Sequence, residues 1–254
     1  TVQFVHANDG ICSLNHMFGT KGYLVETEAA EIRALEDKKI SLYIESRVYG
    51  ADVLEVGYPL RGLSVTSFLR VWDALSGAGI YITGSGISDT HGNGEGGWLK
   101  NNNFVNWIHA ESVDQRDLLD GFQRGHAYFG DPNAFKGTFV FQTTDEHLQG
   151  QVVETNSMMH TVVLQIDKLP EGAVVKLVRD GSVIWETESS GTYFQRETAL
   201  ATSVRTFVRA EVWTVDDKPL LFSNPIYFEP AGTPLIPVER HVQCGNVTGI
   251  QDVI

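Results

Sequence analysis

The chain has 254 residues, 42% of them apolar, which bounds it at one large or two ordinary domains with enough hydrophobic material for real cores. A formal charge of -13 without a basic cluster argues against nucleic-acid backbones and anionic lipid as partners, because nothing is there to neutralise phosphates. No stretch approaches the ~18 apolar residues of a membrane span and residues 1–6 hold no signal-peptide core, so the chain reads as soluble, with its compartment, export included, left open.

Short apolar strands alternate with helical patterns in the first half. The strand Ile11 to Leu14 is followed by a helix within Thr27 to Asp37, the strand Val53 to Val56, a helix from about Ser67 to Gly77, and a strand Ile80 to Thr83. Such alternation predicts a parallel sheet with helical crossovers. Ser112-Val-Asp-Gln115 has the spacing of a capping box ahead of Leu118, Leu119 and Phe122, and Gly125 ends that helix.

From Phe135 onward the period changes to two. Thr138 to Phe141, Thr161 to Ile166, Val174 to Val178, Val183 to Trp185, Val204 to Val212 and Leu220 to Phe228 read as strands, with Asp180-Gly181 as a tight hairpin turn. The composition predicts α/β plus all-β: an α/β domain over residues 1–135, an antiparallel β-sandwich over 136–230, and a C-terminal extension over 231–254.

Ser88-Asp89-Thr90-His91 follows a buried strand and precedes a glycine-rich loop, 92–97. An Asp-x-His pair at a strand's C-terminal end offers one hard oxygen and one imidazole where α/β enzymes collect their chemistry. His16 lies just beyond the first strand and Glu55 on the second. Three neighbouring parallel strands would bring His16, Glu55 and the Asp89/His91 pair to one rim, as a metal site needs. Arg61 is the candidate for holding an anionic substrate group, with a plain surface role as its alternative.

These residues resemble a known family. Ser13-Leu-Asn-His16-Met-Phe-Gly19, Asp52-Val-Leu-Glu55-Val-Gly57, Trp72-Asp-Ala-Leu75, Gly84-Ser-Gly-Ile-Ser-Asp89-Thr-His91-Gly92, the segment from Ser112 to Pro132 and Ser223-Asn-Pro-Ile-Tyr227 are similar to the second half of a PHP (polymerase and histidinol phosphatase) domain in its CehA/McbA-like branch, together with the sandwich that follows it. The resemblance implies part of a distorted (β/α)7, TIM-like barrel holding two or three divalent ions, zinc, manganese or iron. It implies metal-assisted hydrolysis of a small phosphoester, carbamate or carboxylic ester. By position His16, Asp89 and His91 match metal ligands, with Asp89 also catalytic, and Glu55 matches an acidic position beside them.

The chain departs from the family in three places. Met17 stands where the family has Pro, His126 where it has Arg, and nothing matches the opening His-x-His strand, since His6 has no partner at that spacing. The ligands kept here each serve a different ion in the family, and tight binding takes three or four per ion. The resemblance therefore implies that an N-terminal half of the barrel, or a second chain, completes the enzyme.

Two rival functions stay open. One is a non-catalytic binding or scaffolding protein whose sandwich recognises a ligand; the other is N-terminal nucleophile chemistry at Thr1, which the strand-helix alternation disfavours. Among the remaining groups, His109, His147, His160 and His241 read as structural or surface residues, and His126 as a helix-dipole partner when protonated. Arg205 and Arg209 share one strand face as solvent, interdomain or ligand contacts. A Cys12–Cys244 disulfide is disfavoured, and Asn246-Val-Thr248 fits a glycosylation acceptor.

Overall fold

The computed structural model describes residues 2–19, 28–57, 63–89 and 104–233. Within them the chain is mixed α/β, with one short parallel sheet and two sheets in which antiparallel pairing dominates. Helix α1 (Val2–His6) leads into β1 (Ser13–Leu14), which pairs in parallel with β2 (Val53–Gly57), and β2 in turn pairs in parallel with β3 (Thr83–Gly86). Helices α2 (Ala29–Ser46) and α3 (Val65–Gly77) make the crossovers.

Helix α2 runs nine residues beyond the expected Asp37. Its apolar positions Ile32, Leu35, Ile40 and Tyr43 recur at helical spacing and pack on the first core. Buried Glu36, on the same side, receives Arg70 of α3 at 3.0 Å. A left-handed turn ends the helix: Arg47, Val48, Tyr49 and Gly50 all have positive φ, an uncommon state for a β-branched valine. Val48 is fully buried there. Ser64 caps α3 by accepting the Thr66 N–H at 3.1 Å, so that helix starts earlier than Ser67.

Strand β3 begins at Thr83, where the sequence pattern had its strand ending. Ile80 and Ile82 are buried but lie outside the ladder, and the Ile82 carbonyl accepts the Trp72 indole N–H at 3.0 Å. The strand itself is Thr-Gly-Ser-Gly because aromatic rings press on it. A Cβ on Gly84 would strike the Trp72 ring, and one on Gly86 would come within 2.6 Å of Phe104 Cβ.

The capping box expected at Ser112 is also corrected. Helix α4 (Gln115–Gln123) follows β4 (Val105–Ile108) and has Asp114 at its N-cap; the Ser112 hydroxyl donates to Asp117 instead of capping the third residue. Strand β5 (Ala127–Gly130) then pairs antiparallel with β4.

Nine strands follow among the described residues: β6 (Phe139–Thr143), β7 (Val152–Thr155), β8 (Met159–Asp167), β9 (Val174–Arg179), β10 (Ser182–Glu188), β11 (Tyr193–Ala201), β12 (Thr206–Trp213), β13 (Pro219–Ser223) and β14 (Ile226–Pro230). One sheet runs β10-β9-β12-β13-β5-β4, with β14 pairing β12 and β7; the other runs β11-β8-β6. Because β13 pairs with β5, hydrogen bonding is continuous across residue 135. Phe141, Leu164 and Ile166 of one sheet and Leu177, Ala210 and Phe228 of the other belong to one apolar core. The Asp180-Gly181 turn is as expected: both residues have positive φ and join β9 to β10 through the Arg179–Ser182 pair.

Two further expectations change. The single strand Leu220 to Phe228 is two strands, because Pro225 has no N–H for a ladder and Asn224 turns its amide elsewhere. Strand β12 does not alternate between core and water, since all eight of its residues are buried. Arg209 on it forks onto the partly buried Asp73 of α3 at 2.7 and 2.8 Å and also binds the buried Glu211, so a largely desolvated ion network locks the parallel layer to the long sheet. Arg205 pairs with the buried Glu229 at 2.5 Å, beside Tyr81.

Candidate active site at the rim of the parallel sheet

Each strand of the parallel sheet delivers one acidic or imidazole group toward its C-terminal side. His16 lies two residues past β1, Glu55 within β2, and Asp89 three residues past β3. The chain just past β1 is pinned by packing: Met17 is buried, the Tyr43 hydroxyl donates to its carbonyl at 3.3 Å, and Phe18 sets its ring edge-on against Phe68 of α3 at 5.0 Å. On the other side, the Ile87 N–H donates to the Gly57 carbonyl at 3.0 Å and carries the β2–β3 pairing to within two residues of Asp89.

Three of the four metal-ligand candidates meet. Glu55 is 0% exposed, and its Oε2 accepts the His16 backbone N–H at 2.6 Å while lying 2.9 Å from His16 Nδ1. The far side of the ring, Nε2, faces Asp89 Oδ1 at 3.8 Å. His16 and Asp89 side chains keep 23% and 18% exposure, so the pair opens to solvent while Glu55 sits beneath it. His91 and Arg61 lie outside the described residues.

Both open residues hold left-handed backbone, φ 58° at His16 and 50° at Asp89. Asp and His tolerate this region better than most residues, yet each instance costs of order ~1 kcal/mol and persists only where surrounding structure imposes it. At His16 the imposing contacts are the Glu55 carboxylate on its N–H and the Gly19 N–H on its carbonyl at 2.7 Å.

The opposite edge of β3 is satisfied by side chains, not by a strand. Asn224 accepts from the Gly84 N–H at 2.8 Å and donates to its carbonyl at 3.1 Å; Asn106 does the same at Gly86, with both bonds at 2.9 Å. Two amides thus stand in for a fourth parallel strand and hold the strand that carries Asp89. Sequence reasoning missed both, since a lone Asn at a strand end carries no spacing signal.

A divalent ion is the group the resemblance implies, and two donors fit it. Two ligands at ~2.1 Å in tetrahedral geometry stand roughly 3.4 Å apart, close to the observed separation of His16 Nε2 and Asp89 Oδ1. Glu55 behind Nδ1 is the usual arrangement for fixing the tautomer and orientation of a ligating imidazole. The set is incomplete: among the described residues no group of three or more His, Cys, Asp or Glu side chains is arranged to hold a metal ion.

The other histidines sit elsewhere. His6 Nε2 bonds Asp52 Oδ2 at 2.8 Å at the entry to β2, where Asp52 also accepts from the Cys12 N–H and the Gln123 amide. His160 bonds Thr155 and packs on Phe228, and His147 lies 3.4 Å from Asp145. At His126, burial and then the neighbouring Arg124 and His109 push the imidazole below its ordinary pKa. No helix among the described residues is long and apolar enough to cross a membrane. Compared with protein-family models, curated proteins and solved structures, the chain matches none.

Proposed function

We propose that this protein is a metal-dependent hydrolase of the PHP type, CehA/McbA-like, acting on a small phosphoester, carbamate or carboxylic ester. One observation carries the reading: an imidazole and a carboxylate from separate parallel strands face each other across 3.8 Å at an open rim, with a fully buried carboxylate behind the imidazole.

In this reading His16 Nε2 and Asp89 Oδ1, 3.8 Å apart, would be ligands of the family's set of divalent ions, zinc, manganese or iron, and His91 would supply a further ligand to that set. The rest of the two- or three-ion set comes from the barrel's other half or a second chain. Such an ion would polarise the substrate's phosphoryl or acyl oxygen and lower the pKa of water toward neutrality. Glu55 fixes the His16 ring so that Nε2 points outward. Asp89, through its second carboxylate oxygen, takes the proton of the attacking water. The water oxygen bonds to phosphorus or carbonyl carbon, the ester bond breaks, and the leaving oxygen or nitrogen takes up the proton. Arg61 pairs with the substrate's anionic group.

The test is hydrolysis of 4-nitrophenyl phosphate, bis(4-nitrophenyl) phosphate and 4-nitrophenyl acetate by the full-length protein, with and without Mn or Zn. The expected result is metal-dependent turnover, cut about 100-fold or more by Asp89→Asn and unaffected by His160→Ala. Equal rates for wild type and Asp89→Asn, or less than about a tenth of an equivalent of bound metal, would overturn the reading in favour of the binding protein.

A further inference from the structure

A pair of imidazoles lies at the end of the β4–β5 ladder, in a cleft that shares no lining residue with the His16, Glu55 and Asp89 cluster. The antiparallel register that sets Val105 opposite Gly130 and Ile108 opposite Ala127 continues one step further, since the His109 N–H donates to the His126 carbonyl at 2.7 Å. His109 and His126 are therefore directly opposite each other. Residues so placed point to the same face, with Cβ atoms about 4.5–5.5 Å apart.

Both rings are open to a ligand. His109 is exposed and His126 half-buried, and the two line one polar cleft of about 420 Å3. Among the described residues neither ring makes a hydrogen bond, so no partner has to be displaced. Three carboxylates in the same cleft, Glu111, Asp117 and Asp120, outnumber its two guanidiniums, Arg116 and Arg124, which leaves a net field that favours a cation.

A second observation places the rings within each other's influence. Burial, then Arg124 and His109, holds the His126 imidazole below its ordinary pKa. The unprotonated ring is the form that a metal ligates.

We propose that His109 and His126 form a cross-strand chelate for a divalent transition metal of the imidazole-preferring kind, zinc or copper, with water completing its coordination. Two nitrogens at ~2.0–2.1 Å from one tetrahedral ion stand roughly 3.3 Å apart, a separation that rings carried on opposed Cβ atoms about 5 Å apart reach by choice of rotamer. The carboxylates contribute charge without being ligands, and Asp120 keeps its contact with Arg124 at 3.0 Å. Imidazoles select zinc and copper over magnesium and calcium. Residues 109 and 126 flank α4, whose Gly121 already packs on the His109 carbonyl, so the ion would tie together the two ends of the segment that carries this helix.

Titration of the 15N-labelled protein with zinc chloride, followed through the histidine ring signals by NMR, tests this. The His109 and His126 rings should shift together with a single midpoint, and magnesium should move neither. His109→Gln, at an exposed position, should raise the zinc midpoint of the His126 ring at least about tenfold and shrink the rise in Tm that zinc gives the wild type. Asp89→Asn alters only the other site and should leave that midpoint unchanged, so failure of the hydrolase reading would leave this one standing. Rings unmoved at millimolar zinc, separate midpoints for the two rings, or an unchanged His126 midpoint in His109→Gln would overturn the proposal.

Discussion

His16 Nδ1 lies 2.9 Å from Glu55 Oε2, and the same oxygen takes the His16 backbone N–H at 2.6 Å, so one buried carboxylate holds the main chain of the residue facing Asp89 and lies against its ring. Glu55→Gln keeps the shape and an acceptor but loses the charge. In the metal-hydrolase reading, metal affinity by isothermal titration with Zn or Mn should fall about 10–100-fold, the usual effect of losing an orienting partner. The far-ultraviolet circular dichroism should stay unchanged. Undiminished affinity would remove Glu55 from the site.

The amide of Asn224 is a structural counterpart at the other edge of β3. Asn224→Ala strips the side-chain partners from the buried Gly84 N–H and carbonyl, while the Ala127 carbonyl keeps the backbone N–H of residue 224 at 3.3 Å. At ~1–3 kcal/mol for each buried group left unpaired, partly relieved by relaxation, urea denaturation should record a loss of about 2–4 kcal/mol. A loss below about 0.5 kcal/mol would mean that the amide does not hold the strand.

Arg209 joins the two layers through Asp73 and Glu211. Arg209→Met leaves the buried Glu211 and the partly buried Asp73 without their cation and should cost about 2–4 kcal/mol. The further changes Asp73→Ala and Glu211→Gln, added to Arg209→Met, should return part of that loss, and thermal melts of the single and triple variants measure the coupling. Additive losses would show that the three act independently.

Acid should weaken the fold partly through His126. Its ring takes a proton near pH 6.5 in the unfolded chain but only at lower pH in the fold, where burial, Arg124 and His109 oppose the charge. Between those two values the unfolded state binds more protons, so this contribution is intact above about pH 6.5 and is lost as pH falls below it. His126→Gln should show a shallower fall in Tm between about pH 7 and pH 5 than the wild type. Parallel curves would remove His126 as a cause.

Local pattern carried a good deal of this molecule. Alternation of apolar runs with helical spacing was enough for β1, α2, β2 and α3 in parallel crossover order, and Asp180-Gly181 specified its turn because two positive φ values in a row admit few other residues. His16, Glu55 and Asp89 were legible as a group for the same reason: parallel strands in register send their C-terminal ends to one rim. Strand limits were harder. Thr83–Gly86 looks like a loop until Trp72, Phe104 and Phe129 are seen packed where side chains would otherwise be.

What the amino-acid order by itself determined is therefore the local part: which segments are helical or extended, and which groups lie at strand ends. Tertiary structure alone decided that Glu55 lies behind His16, that Asn224 and Asn106 complete the edge of β3, and that Arg209 is sealed between layers. These contacts join residues 20 to 140 positions apart. Their partners are chosen by which surfaces the packed core brings face to face, and no periodicity within a single segment encodes that choice.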